Sequence, residues 1–262
     1  MQLTDRDRML LSFVADHRLV LAGQVQVLLG ASDWVTRGRL RALSRAGYLA
    51  QHRLFHQQPA CYQATRRGLA AIGSDLPKPR IDLRSYMHDV GLGWLWLSAR
   101  AGSFGPVSEV LSERQLRSHD GLPGSGRERE RLGVRMFGFG PGGREQLHYP
   151  DLLLRTPDGK RIAIELELTA KGRTRREKIL SGYGADRRID LVVYLVNRPE
   201  VERSVRASAS KLGISEFVHV QSFAWTPSME RLDRHVSAGS TRAPGRRPPA
   251  VVPAASRSER AR

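Results

Sequence analysis

One hairpin constrains this chain more tightly than any other stretch. Thr156-Pro157-Asp158-Gly159-Lys160 has the chemistry of a three-residue loop, a type I turn closed by a glycine in the left-handed region. It joins strands expected over 148–155 and 160–169. With Thr156 opposite Lys160, Asp151 falls opposite Glu165, and Glu167 lies two residues along on the same side. Pro150, Leu152, Leu154, Ile162, Ile164, Leu166 and Leu168 then share the other, apolar side. Asp151, Arg155, Arg161, Glu165 and Glu167 share the polar one. A two-residue loop would set Asp151 across from Leu166 and mix the faces, which register specificity disfavours.

Two carboxylates at cross-strand distance repel unless something neutralises them. Mg²⁺ or Mn²⁺ held by Asp151 and Glu165 is the simplest candidate, since hard oxygen ligands suit these ions. An ion so held polarises a phosphodiester and acidifies a bound water. The alternative is an ion-pair network on a half-exposed sheet, supplied by Arg155, Arg161 or an arginine of the next helix. Beyond the hairpin the pattern alternates: helix over 173–183, strand over 190–196, helix over 199–212, strand over 216–221. That alternation predicts an α/β layer.

The opening quarter reads differently. Thr4 and Asp7 form a capping box for a helix over 4–17, whose buried stripe is Leu10, Phe13, Val14 and His17. A second helix over 22–29 closes at Gly30. Ser32 or Asp33 caps a third that ends at Gly47, with Thr36, Leu40 and Leu43 on one face and Arg37, Arg41 and Arg45 on another. Strand-like runs over 48–55 and 60–65 follow, and then a helix over 66–72. Three arginines on one side of a helix are by themselves usually a solvated face. Here they sit on the third helix of a three-helix-then-hairpin order, where winged helix-turn-helix folds place the groove-reading element, and Arg53 of the hairpin joins them as a DNA-binding candidate.

Charge agrees with that reading. Lys+Arg number 43 against 26 Asp+Glu, a net +17 that favours a polyanionic partner. Arg173, Arg175, Arg176, Lys178, Arg187 and Arg188 form a second basic patch beside the acidic hairpin. The single cysteine, Cys61, excludes an intramolecular disulfide and a cysteine-based zinc cluster. No basic-then-apolar leader opens the chain and no apolar run approaches the roughly 20 residues that span a bilayer, so a soluble, cytoplasmic protein is expected. Between the two ordered regions, 74–80 reads as a linker and 81–100 as a largely buried helix bearing Tyr86, Leu92, Leu95, Trp96 and Leu97. Gly91 and Gly93 mark a helix contact or kink in it. A shorter segment is expected over 109–116, a long exposed loop over 119–144, and a disordered basic tail from about residue 237. His88-Asp89 is read as a buried hydrogen-bonded pair. No His-x-His pair and no phosphate-binding loop are present, and Gly138-x-Gly140-x-Gly142-Gly143 lacks the following Lys-Ser/Thr.

The order of helix, Pro150-Asp151 strand, Glu165-x-Glu167 strand, helix and strand resembles the PD-(D/E)XK nuclease fold over 105–221. That resemblance implies Asp151 and Glu165 as metal ligands. It also implies a lysine where this chain has Glu167, with Lys171 as a displaced substitute and Glu113 as the acid of the first helix. More widely, Leu3-Thr-Asp-Arg-Asp, the stretch from Arg39 to Leu49, Tyr86-Met-His88-Asp89, Leu111-Ser-Glu113-Arg114, Tyr149-Pro-Asp151 and Ile164-Glu165-Leu-Glu167 together resemble the replication-relaxation family of plasmids and integrative elements, over 3–221. The resemblance implies a role in replication, or relaxation and transfer, of mobile DNA, in one of two forms. One is a metal-dependent nicking enzyme with Asp151, Glu165, Glu167 and Lys171 as its catalytic set; the other is a non-catalytic accessory or regulator. The expected architecture is α/β (α+β): a winged helix over 1–76, a nuclease-like domain over 77–231 and a tail over 232–262. The expected partners are double-stranded DNA and other replication or transfer proteins, with no membrane and no small-molecule substrate.

Overall fold

In a computed structural model the chain is a mixed α/β protein, described over residues 2–121, 130–139, 145–169 and 171–223. The expected tail over 232–262 lies outside the described residues.

Helix α1 (Asp5–Asp16) is capped as its sequence dictates: Thr4 Oγ1 accepts from the Asp7 amide at 3.3 Å, and the Asp7 carboxylate accepts from the Thr4 amide at 2.8 Å. Asp7 also takes the guanidinium of Arg39, which ties α1 to α3. Helix α2 (Ala22–Leu29) stops at Gly30, whose φ of 57° admits glycine without strain. Helix α3 (Asp33–Arg45) begins at Ser32, whose hydroxyl accepts from the Val35 amide, and buries Thr36, Leu40 and Leu43 fully. Strands β2 (Leu49–His52) and β3 (Cys61–Ala64) pair antiparallel, and α4 (Arg66–Ala71) follows. Gly68 of α4 crosses so close to the Tyr48 carbonyl that a Cβ there would stand 2.2 Å from its oxygen. A two-residue strand β1 (Val20–Leu21) completes the sheet in the order β1-β3-β2. It is too short to leave a period in the sequence and was not expected.

A 3-10 turn (Leu83–Ser85) leads into α5 (Tyr86–Arg100), so the regular helix starts later than the expected 81. Tyr86, Val90, Trp94 and Leu97 of α5 pack into the N-terminal core, while Leu92 and Ala99 pack against the second sheet. Gly93 is the expected helix contact: Gln24 of α2 lies over it and donates its side-chain amide to the Val90 carbonyl at 2.7 Å. Helix α5 is therefore shared between two cores.

The second sheet has five strands in the order β10-β9-β8-β7-β4. They are β4 (Glu109–Ser112), β7 (Leu152–Arg155), β8 (Arg161–Glu167), β9 (Leu191–Val196) and β10 (Val218–Ser222). Strands β8, β9 and β10 run parallel, and α7 (Arg173–Ala185) and α8 (Pro199–Lys211) form their crossovers. The hairpin has the expected register, Arg155 opposite Arg161 and Leu152 opposite Ile164, around Gly159 at φ 85°. Its exposure is not as expected. Leu153 and Ala163 face one core, and Leu152, Leu154, Ile162, Ile164 and Leu166 face another, so the sheet is covered on both sides rather than half-exposed.

Three further expectations change. The span 148–155 is two strands, β6 (Glu145–His148) and β7, because Pro150 has no amide to donate and holds Tyr149 extended, which breaks the ladder. The region 119–144 is not all loop: β5 (Val134–Phe139) pairs with β6, anchored by buried Leu132 and Val134. The segment over 109–116 is a strand followed by α6 (Glu113–Gly121). Among the described residues no helix is long and apolar enough to cross a membrane.

Candidate functional site

The break before β7 places Asp151 just outside the ladder, which ends at Leu152–Ile164. Its Oδ2 accepts from the Leu166 amide at 2.8 Å, so Asp151 caps β8 instead of facing Glu165 across a rung. Its carbonyl accepts from the Glu113 amide at 3.1 Å and so holds the start of α6. His88 of α5 supplies the counter-charge, with Nε2 3.2 Å from Asp151 Oδ2. Burial works against a charge on His88, but Asp151 and Asp89 outweigh it and push its pKa up to about 10.

Glu165 sits on β8 beneath α7 and is 1% exposed. Tyr183 of α7 donates its hydroxyl to Glu165 Oε1 at 2.6 Å, His148 Nε2 lies 2.6 Å from the same oxygen, and Lys171 Nζ donates to Oε2 at 3.3 Å. Burial favours the neutral acid here, yet His148 and Lys171, with these hydrogen bonds, hold Glu165 far below the usual carboxylate range. The same carboxylates, against the cost of burial, hold the Lys171 ammonium above its ordinary value.

Glu167 continues the inward row and is equally buried. Its Oε1 accepts from the Lys171 amide at 3.0 Å and from Arg176 at 3.1 Å. Arg176 also donates to the Lys171 carbonyl at 2.8 Å and the Ser204 hydroxyl at 2.6 Å. Arg176 is 1% exposed, so its assignment to a DNA-contacting surface is corrected: a guanidinium enclosed by Glu167, a carbonyl and Ser204 has no donor turned outward. Arg173 and Arg175 of the same helix are exposed, and Arg173 pairs with Glu177 at 2.8 Å.

Internal cations therefore neutralise the acidic row. An arginine of the next helix contributes, as one alternative required, but Arg155 and Arg161 do not; they pair outward with Glu109 at 3.4 Å and Glu130 at 2.8 Å. Glu113 turns to Arg18 at 3.0 Å and Arg117 at 2.8 Å. A divalent ion needs carboxylate oxygens free to face it. Both Glu165 oxygens are engaged, and among the described residues no group of three or more His, Cys, Asp or Glu side chains is placed to hold a metal. Glu167 Oε2, by contrast, is buried without a hydrogen bond, so the row is closed to an ion at Glu165 but not at every oxygen. Sequence reasoning brought Lys171 here and paired His88 with Asp89, which stands 3.9 Å from it, rather than with Asp151; it missed His148 and Tyr183. For these two the sequence offered one signal, His148 directly ahead of the Tyr-Pro-Asp break.

The N-terminal arginines stand in a different state. Arg37, Arg41 and Arg45 of α3 are exposed, as is Arg53 just beyond β2. Arg37 is held by Asp33 at 2.7 Å, whereas the side chains of Arg41, Arg45 and Arg53 form no hydrogen bond or ion pair with another described residue. Burial raises the pKa of Tyr62 on β3, and Arg37, Arg41 and Arg53 all pull against that rise. Residues of α3 and of the segment beyond β2 thus both act on Tyr62 of β3.

No protein-family model matches this chain, and no curated protein matches it.

Proposed function

We propose that the chain binds double-stranded DNA through a winged helix-turn-helix, with α3 as the groove-reading helix and the β2–β3 hairpin as the wing, and that it acts in the replication or transfer of mobile DNA. The observation that carries the first part is that Arg41 and Arg45 are exposed and unmatched on the side of α3 opposite its buried face, with Arg53 exposed just beyond β2. Cations left without internal partners suit phosphate contact, where each releases condensed counterions. The assignment to mobile elements rests on the sequence resemblance. In this reading the second domain is a nuclease-like fold that serves as a scaffold, with its acidic row tied to His88, His148, Lys171 and Arg176.

One observation favours a second reading, metal-dependent strand nicking by Asp151, Glu165, Glu167 and Lys171. Lys171 Nζ stands at Glu165 although four residues displaced from the motif position. Incubating supercoiled plasmid carrying the element's own origin with Mg²⁺ or Mn²⁺ separates the two. The scaffold reading expects footprinted binding and no nicking. Metal-dependent nicking that disappears in Asp151→Ala would replace it with the enzymatic one.

A further inference from the structure

Helix α3 carries two residues that its own fold does not explain. Trp34 is 84% exposed, the most exposed large hydrophobic side chain among the described residues. Gly38 lies in the exposed middle of the helix, where glycine is a weaker helix former than alanine. Its φ is not positive, and a Cβ added there would meet nothing within 4 Å. Neither backbone conformation nor internal packing calls for a glycine at that point.

Both residues sit where a groove-facing pair would. At 3.6 residues per turn, Trp34, Gly38, Arg41 and Arg45 fall within about 60° of one another around the helix. Thr36, Leu40 and Leu43, the fully buried residues, occupy the opposite side. Trp34 lies in the first turn, the part of a recognition helix that reaches base edges. The unmatched arginines behind it supply the charge that suits a polyanion.

We propose that Trp34 and Gly38 are the base-reading pair of α3. Gly38 is the point where the helix comes closest to the major-groove floor, and the Trp34 ring covers the 5-methyl group of a thymine. This inference rests on the DNA-binding reading and deepens it. A missing side chain permits close approach of the duplex. An apolar surface beside it discriminates the one base that shows a methyl group in the major groove.

The test uses the full chain and the tightest duplex selected from a randomised library by the wild type. Gly38→Ala is expected to raise the melting temperature, since alanine strengthens an exposed helix, while lowering affinity for that duplex about tenfold. Opposite signs in one variant exclude misfolding as the cause. Replacing the duplex thymines by uracil should weaken wild-type binding several-fold, and Trp34→Ala should bind both duplexes alike. The inference is overturned if Gly38→Ala leaves affinity unchanged, or if Trp34→Ala keeps the wild-type thymine-to-uracil ratio. It is equally overturned if Trp34→Ala alters only self-association. If those variants bind normally while Arg41→Ala with Arg45→Ala loses affinity, only the base-reading inference fails. If the arginine variant also binds as wild type, the docking face itself is wrong.

Discussion

Helices α3 and α7 each carry a run of arginines, and the fold uses them in opposite ways. On α3, Arg41 and Arg45 point away from the core and meet no described partner. On α7, Arg176 points inward and is consumed by Glu167, Ser204 and a backbone carbonyl. The difference lies in what each helix covers. The face beneath α3 is apolar apart from Asp7, which claims Arg39, so Arg41 and Arg45 have no internal acid to meet and go outward. The strand beneath α7 presents Glu165 and Glu167, and a buried carboxylate without a counter-charge is strongly unfavourable. An arginine row is thus left facing solvent only where no internal acid claims it.

The largest expected effect that tests this contrast is at Arg176. Arg176→Met leaves Glu167 buried beside Lys171 alone, and should cost about 3–5 kcal/mol in urea unfolding while the duplex affinity of the folded fraction stays unchanged. A loss under about 1 kcal/mol would mean that Arg176 is not the partner Glu167 depends on.

His88 comes next. His88→Gln should cost about 1–3 kcal/mol at neutral pH, because Asp151 loses a partner. The raised pKa fixes the sign of the pH dependence. The contribution of His88 is complete below its unfolded value of 6.5 and is lost as pH rises through about 10. Urea midpoints measured from pH 6 to about 10 should therefore fall more steeply for the wild type than for His88→Gln. Parallel curves would show that the His88–Asp151 contact carries no stability.

The smallest effect is expected at the exposed part of α7. Replacing Arg173 and Arg175 by alanine should change stability by no more than about 0.5 kcal/mol, since exposed pairs such as Arg173–Glu177 contribute little. Duplex affinity should fall less than for the α3 arginines. A larger fall would move the principal DNA contact to α7.

Where local chemistry decides the structure, the sequence was easy to read. The Thr156–Lys160 turn fixed the β7–β8 register, and Thr4, Ser32 and Gly30 marked helix ends, because each acts through its own backbone neighbours. The acidic row was legible only as a row. Its burial depends on α7 crossing over β8, and its neutralisation on His88, which is 63 residues from Asp151 in sequence. Strand β5 was hidden because Val134 and Met136 sit within a Gly- and Arg-rich stretch that offers little periodicity. Burial of Arg176 had no local sign, since Arg173, Arg175 and Arg176 are alike in composition and differ only in their angle around the helix.

The central claim, that unmatched arginines of α3 hold duplex DNA, is tested most directly by the salt dependence of binding for the wild type and Arg41→Ala/Arg45→Ala. The double variant should bind more weakly, with a logarithmic salt slope shallower by up to about one unit for each phosphate contact removed and unchanged thermal stability. Wild-type affinity with an unchanged slope would contradict it.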